Sequence, residues 1–88
     1  MTVRYFAAAR AAAGAEEERF DDSAASLTLA GLLETLTAQP RDVEPSAPEL
    51  ARVLSRSSFL VNGVAAKDRE KPLSPGDTVD VLPPFAGG

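Results

Sequence analysis

The sequence predicts an α+β fold: a mixed sheet of four to five strands with one main helix and one short helix. Three observations carry this. β-Branched and aromatic runs stand near both ends, at residues 2–6 and 78–82. Between them Leu29, Leu32, Leu33 and Leu36 fall at i, i+3, i+4 and i+7, one face of a 3.6-residue period. Asn62-Gly63, between two apolar runs, is the favoured pair for a two-residue type I′ hairpin turn.

The first run, Thr2-Val3-Arg4-Tyr5-Phe6, alternates as a strand does, with Val3 and Tyr5 on one side and Thr2, Arg4 and Phe6 on the other. Ala7 to Ala13 is alanine-rich and closed by Gly14. It reads either as one or two helical turns or as a compact loop, because so short a helix is marginal without tertiary packing. Glu16 to Asp22 is charged, with Phe20 its one large apolar residue, and reads as an edge strand in a hairpin with the first.

The leucine-striped helix should run from Leu29 to Ala38, capped by Thr28 and stopped before Pro40. Leu27 and Leu32 have the spacing of a hydrophobic staple. Residues 39–47, with two prolines, read as a loop. Ser46 and Glu49 have capping-box spacing for a short helix that carries Leu50, Val53 and Leu54 and ends near Arg56. Phe59 to Val61 and Val64 to Ala66 form the second hairpin, and Pro75-Gly76 suits the centre of a type II turn before the last strand, Thr78 to Leu82.

The first and last strands, laid side by side as parallel central neighbours, give the β-grasp architecture, with the helix as the long crossover. Val3, Tyr5, the four leucines, Phe59 or Leu60, Val79 and Val81 should then form the core. Arg4, Phe6, Asp80 and Leu82 should lie on the opposite face, where Arg4 and Asp80 are expected to make a surface ion pair of little energetic weight. Phe6 and Leu82 would be two apolar residues turned to water beside the chain end, a candidate partner-docking patch.

Composition narrows the function. The chain has 88 residues and a net charge of −4, so a phosphate backbone would repel it and no nucleic-acid partner is expected. No apolar run is long enough to span a membrane. The opening residues lack the features of a signal peptide, so a cytoplasmic location is the expectation. Cysteine and histidine are both absent. That removes thiolate chemistry, the commonest metal ligand and the commonest general base. Neither a metal site nor a self-sufficient active site is expected.

The last six residues, Pro83-Pro84-Phe85-Ala86-Gly87-Gly88, offer a different chemistry. Two prolines end the strand, since neither donates to a sheet ladder. Two glycines let the terminal backbone enter a channel too narrow for side chains. Six extended residues reach about 20 Å, enough to carry a carboxylate into another protein. A frayed terminus has a similar composition. The organisation is therefore a domain over residues 1–82 and a flexible tail over 83–88.

Tyr5-Phe6-Ala7, then Arg10 and Gly14, then the Asn62-Gly63 turn, then Leu73, Gly76-Asp77 and Val79, and finally the Pro83–Gly88 tail resemble the small subunit of molybdopterin synthase. The resemblance covers most of the chain, and residues 39–57 are its least distinctive part. It implies a ubiquitin-like sulfur carrier that contributes no catalytic side chain. An E1-like adenylating enzyme would use ATP to form an acyl-adenylate at Gly88, and a sulfur-donor system would convert it to a thiocarboxylate. Both forms are transient, and no permanently bound cofactor is implied. Pro83, Pro84, Phe85, Ala86 and Gly87 would insert into the large synthase subunit, in a heterotetramer, to deliver sulfur to a pterin precursor. Related carriers for thiamine or cysteine synthesis, and ubiquitin-like modifiers or noncovalent binding modules, also fit a Gly-Gly end.

Overall fold

A computed structural model describes residues 1–20 and 27–84. Asp21 and Asp22 of the expected edge strand, and Phe85, Ala86, Gly87 and Gly88 of the tail, lie outside the described residues. The elements are β1 (Thr2–Tyr5), α1 (Ala8–Ala13), β2 (Glu17–Arg19), α2 (Leu29–Ala38), α3 (Leu50–Arg56), β3 (Ser58–Val61), β4 (Val64–Ala65) and β5 (Thr78–Leu82). They form a five-stranded sheet in the order β2-β1-β5-β3-β4. β1 and β5 pair in parallel at the centre, with Val3 opposite Val79 and Tyr5 opposite Val81. All other pairings are antiparallel. This is the β-grasp arrangement.

Strand alternation puts Val3, Tyr5, Val79, Val81, Phe59 and Val61 on the buried face, where they pack with Leu29, Leu32, Leu33 and Leu36 of α2. Phe59 is the buried member of the Phe59/Leu60 pair, and Leu60 is half-buried on the other face. The core is also wider than the leucine stripe and the strands imply. Leu50, Val53 and Leu54 of α3, Leu73, and Ala9, Ala12 and Ala13 of α1 all join it. Leu33→Ala is expected to cost about 2–5 kcal/mol, the range for truncating a buried leucine. Urea titration would read this as a lower unfolding midpoint, and an unchanged midpoint would contradict the packing.

Of the two readings of the alanine run, the helical one holds: it adds a short third helix to the expected main and short helices among the described residues. Burial of its small side chains supplies the stability that six residues lack alone. Gly14 ends α1 at φ 76°, donating its N–H to Arg10 O at 2.9 Å. A Cβ there would also fall 2.9 Å from Val43 Cγ1, so both conformation and space require glycine.

The start of α2 is well satisfied. Thr28 Oγ1 accepts from Gly31 N–H at 3.0 Å, while Leu29 and Ala30 N–H donate to Lys71 and Arg69 carbonyls. Leu27 lies across Gly31. The capping box expected for α3 does not form. The helix begins at Leu50, so Glu49 is itself the cap residue and its side chain makes no cap hydrogen bond. The helix starts three positions later than a Ser46 cap requires, so Glu49 stands at the cap rather than at the third helical position.

Both turns agree with their sequences. Asn62 and Gly63 take positive φ, 52° and 82°, as a type I′ turn requires. Gly76 has φ 87°, and Asp77 N–H closes its turn on Ser74 O at 3.1 Å. Asn62 then reaches the start of β5, accepting from Thr78 N–H at 2.9 Å and donating to Asp77 Oδ1 at 3.0 Å.

Candidate functional site

The site is built around the end of β5, because the tail leaves from there. β5 is central, so its last residues are flanked on both sides. Leu82 stands opposite Ser58 of β3, and the Phe6 N–H extends the β1 ladder to Val81 O at 3.2 Å. This register sets Phe6 beside Leu82 on the helix-free face. Phe6 is 36% exposed, one of two large apolar side chains open to water among the described residues, and Leu82 is half-buried. The structure therefore brings the two patch residues together.

The neighbouring ion pair is stronger in geometry than a surface pair. Arg4 donates from Nε to Asp80 Oδ1 at 2.6 Å and from Nη2 to Oδ2 at 2.8 Å. The Asp80 side chain is only 7% exposed against 50% for Arg4. The expected surface pair is thus corrected. Asp80 lies between Arg4 on β1 and Leu60 on β3, so both neighbouring strands cover it. The hydrogen bond to Asp80 and then its charge raise the Arg4 pKa further. The Arg4 guanidinium also sits 5.9 Å from the Phe6 ring centroid, which steadies the aromatic side chain beside the tail.

Just past Phe6 the backbone turns sharply. Ala7 has φ 51° and ψ −129°, and Phe6 O accepts from Ala9 N–H at 3.0 Å. Glycine is the usual occupant of such a position, and alanine gives no sequence signal for it. The turn leads from β1 into α1 and places Ala8 at the root of the tail. There Ala8, Pro48, Arg52, Val53, Pro83 and Pro84 line a groove, with Arg56 at its edge, of about 190 Å³. Pro83 is half-buried and Pro84 exposed. Phe85 to Gly88 continue beyond the described residues.

A second cluster lies on the far side of α1 and escaped the sequence reading. Arg41, in the loop after α2, is 9% exposed. It donates from Nη1 to Glu18 Oε2 and from Nη2 to Glu18 Oε1, both at 3.0 Å. It also donates to Ala13 O at 3.0 Å and to Leu36 O at 3.1 Å. Tyr5 Oη donates to Glu18 Oε1 at 2.6 Å. One guanidinium so joins the ends of α1 and α2 to β1 and β2. Burial raises the Glu18 carboxyl, but hydrogen bonds from Arg41 and Tyr5 outweigh it and hold the group below its ordinary range. Burial, then the Glu18 carboxylate, pushes the Tyr5 phenol up. The cluster ties β1 and β2 to α1 and α2.

Among the described residues no group of three or more His, Cys, Asp or Glu side chains could hold a metal ion. No helix among them is long and apolar enough to cross a membrane.

Solved structures share the fold. SAMP1 from Haloferax volcanii matches with a TM-score of 0.74 and 25% identity, over 99% of this chain and 97% of that one. A putative molybdopterin converting factor subunit 1 from Pyrococcus furiosus matches with a TM-score of 0.69 and 22% identity, over 96% of this chain and 95% of that one. The complex of subunits 1 and 2 of the molybdopterin-converting factor from Helicobacter pylori 26695 matches with a TM-score of 0.64 and 22% identity, over 99% of this chain and 96% of that one. A comparison with curated proteins returned no match. The ThiS family model matches residues 3–88, nearly the whole chain with its tail, and the chain belongs to the ThiS family.

Proposed function

We propose that this protein is a sulfur carrier, the small subunit of a molybdopterin synthase, and that the carboxylate of Gly88 bears the sulfur. The observation that carries the reading is the family match through residue 88, joined to a tail root that leaves a central strand between an apolar patch and a groove. The carboxylate attacks the α-phosphate of ATP on an E1-like enzyme, and pyrophosphate leaves. A persulfide sulfur then attacks the acyl carbon and AMP leaves. Thiol cleavage of the resulting acyl disulfide leaves the thiocarboxylate. The carrier needs no side-chain catalyst for these steps, and its task is to present a thin, reactive end.

In the second half of the cycle the tail, Pro83 to Gly88, enters the large synthase subunit and sulfur passes to a pterin precursor. The Helicobacter pylori complex of subunits 1 and 2 supports such a partner. Phe6 and Leu82 form the docking patch, used in turn by the adenylating enzyme and the large subunit. Phe6→Asp is expected to weaken both complexes at least about tenfold, as burial of a charge in an apolar contact does. Titration calorimetry with each partner checks this, and unchanged affinities in a folded variant would remove the patch.

The likeness to SAMP1 from Haloferax volcanii favours a second reading, a ubiquitin-like modifier joined to lysines through Gly88. Reconstitution separates the two. Thiocarboxylated protein mixed with the large subunit and pterin precursor should yield the dithiolene product. Lysine-linked adducts without that product would favour the modifier.

A further inference from the structure

The groove at the tail root has one property that the sulfur-carrier reading does not use. Arg52 and Arg56 stand one turn apart on α3 and border it, with Ala8, Pro48, Val53 and Pro83 as its apolar walls. Four of the other five arginines are occupied, the exception being Arg19 on the edge strand β2. Arg4 holds Asp80, Arg10 faces Glu16 at 3.4 Å, Arg41 holds Glu18, and Arg69 lies 4.9 Å from the Phe59 ring centroid. Arg52 and Arg56 are exposed and face no carboxylate among the described residues. Like charges at this spacing weaken a helix. Arg56, in the last turn, gains from the helix dipole, whereas Arg52 does not. In a chain of net charge −4 they make a local cationic rim around an apolar cleft.

We propose that this rim and cleft dock an acidic segment of the adenylating enzyme, with one apolar side chain seated against Ala8 and Val53 and flanking carboxylates on Arg52 and Arg56. The proposal rests on the sulfur-carrier reading and names the partner surface that reading lacks. Charge complementarity selects the acidic flanks, and the apolar walls select the anchor. Size argues against a nucleotide. Small-molecule pockets hold about 300–1,000 Å³, and this groove holds about 190 Å³, room for a single side chain. Because Pro83 forms one wall, occupation of the cleft fixes the point from which the tail departs. The open-face patch at Phe6 and the α3 rim would then grip the tail root from two sides.

The test is ATP–pyrophosphate exchange by the adenylating enzyme, with the full chain as substrate. R52E/R56E is expected to raise the KM for the carrier at least about tenfold, with kcat at saturation and the KM for ATP unchanged. The wild-type KM should climb with salt and the variant's should not. K67E, on an exposed loop away from the groove, should behave as wild type. R52Q/R56Q gives the same test in milder form should the reversed pair fail to fold. A folded variant with the wild-type carrier KM overturns the proposal, as does a change confined to the KM for ATP. Failure of the wild-type chain to be adenylated at all would instead bring down the sulfur-carrier reading, and the docking proposal with it.

Discussion

Removal of Gly87 and Gly88 is expected to abolish ATP-dependent sulfur loading and leave the thermal unfolding midpoint unchanged. The two halves of this expectation have separate causes. The core cluster extends from Val3 to Val81, and β5 ends at Leu82. The deleted residues therefore lie beyond every buried apolar contact described. Loading requires a carboxylate that reaches the adenylating site, and a chain ending at Ala86 is two residues short, a loss of about 7 Å of reach. It also presents a Cβ where the thinnest backbone is needed. A melt combined with intact-mass analysis reads both halves. A shortened chain that still accepted sulfur would place the chemistry elsewhere.

Arg41→Met is expected to lower stability by about 2–4 kcal/mol, at the lower end for breaking a buried pair because Glu18 keeps some exposure. Methionine matches the volume, so packing is nearly conserved, but Glu18 loses its bidentate partner and the Ala13 and Leu36 carbonyls lose a donor. The effect has a pH signature. Glu18 is depressed in the folded protein. Its contribution is therefore present above the unfolded carboxyl value, about 4.3, and is lost as pH falls through the lower folded value. Denaturant titrations should show the gap between wild type and variant widest near neutrality and narrower below about pH 4. A gap independent of pH would assign the loss to packing alone.

Apart from the Ser46–Glu49 capping box, which does not form, the local signals were legible. The leucine stripe, the Thr28 cap, Asn62-Gly63 and Pro75-Gly76 each act over a few residues, and each took its expected form. The parallel pairing of β1 with β5 followed from alternation at the two ends and from the helical crossover. What stayed hidden depends on contacts between distant segments. Arg41 looked like a loop charge because its partner, Glu18, lies 23 residues earlier. Asp80 looked exposed because alternation assigns a face and takes no account of the strands on either side. α1 was ambiguous because alanine becomes a helix here only through burial of its face. The groove at the tail root joins Ala8, α3 and Pro83, three segments with no pattern in common. The chemistry expected of the tail rests on its composition and on the family resemblance, since Phe85 to Gly88 lie outside the described residues.

The most direct test of sulfur carriage is the intact mass of the full chain after incubation with its adenylating enzyme, ATP and a persulfide donor. Replacement of one carboxylate oxygen by sulfur, located to Gly88 by fragmentation and absent when ATP is omitted, is the expected result. An unchanged mass, under conditions where the enzyme consumes ATP on this protein, would contradict it.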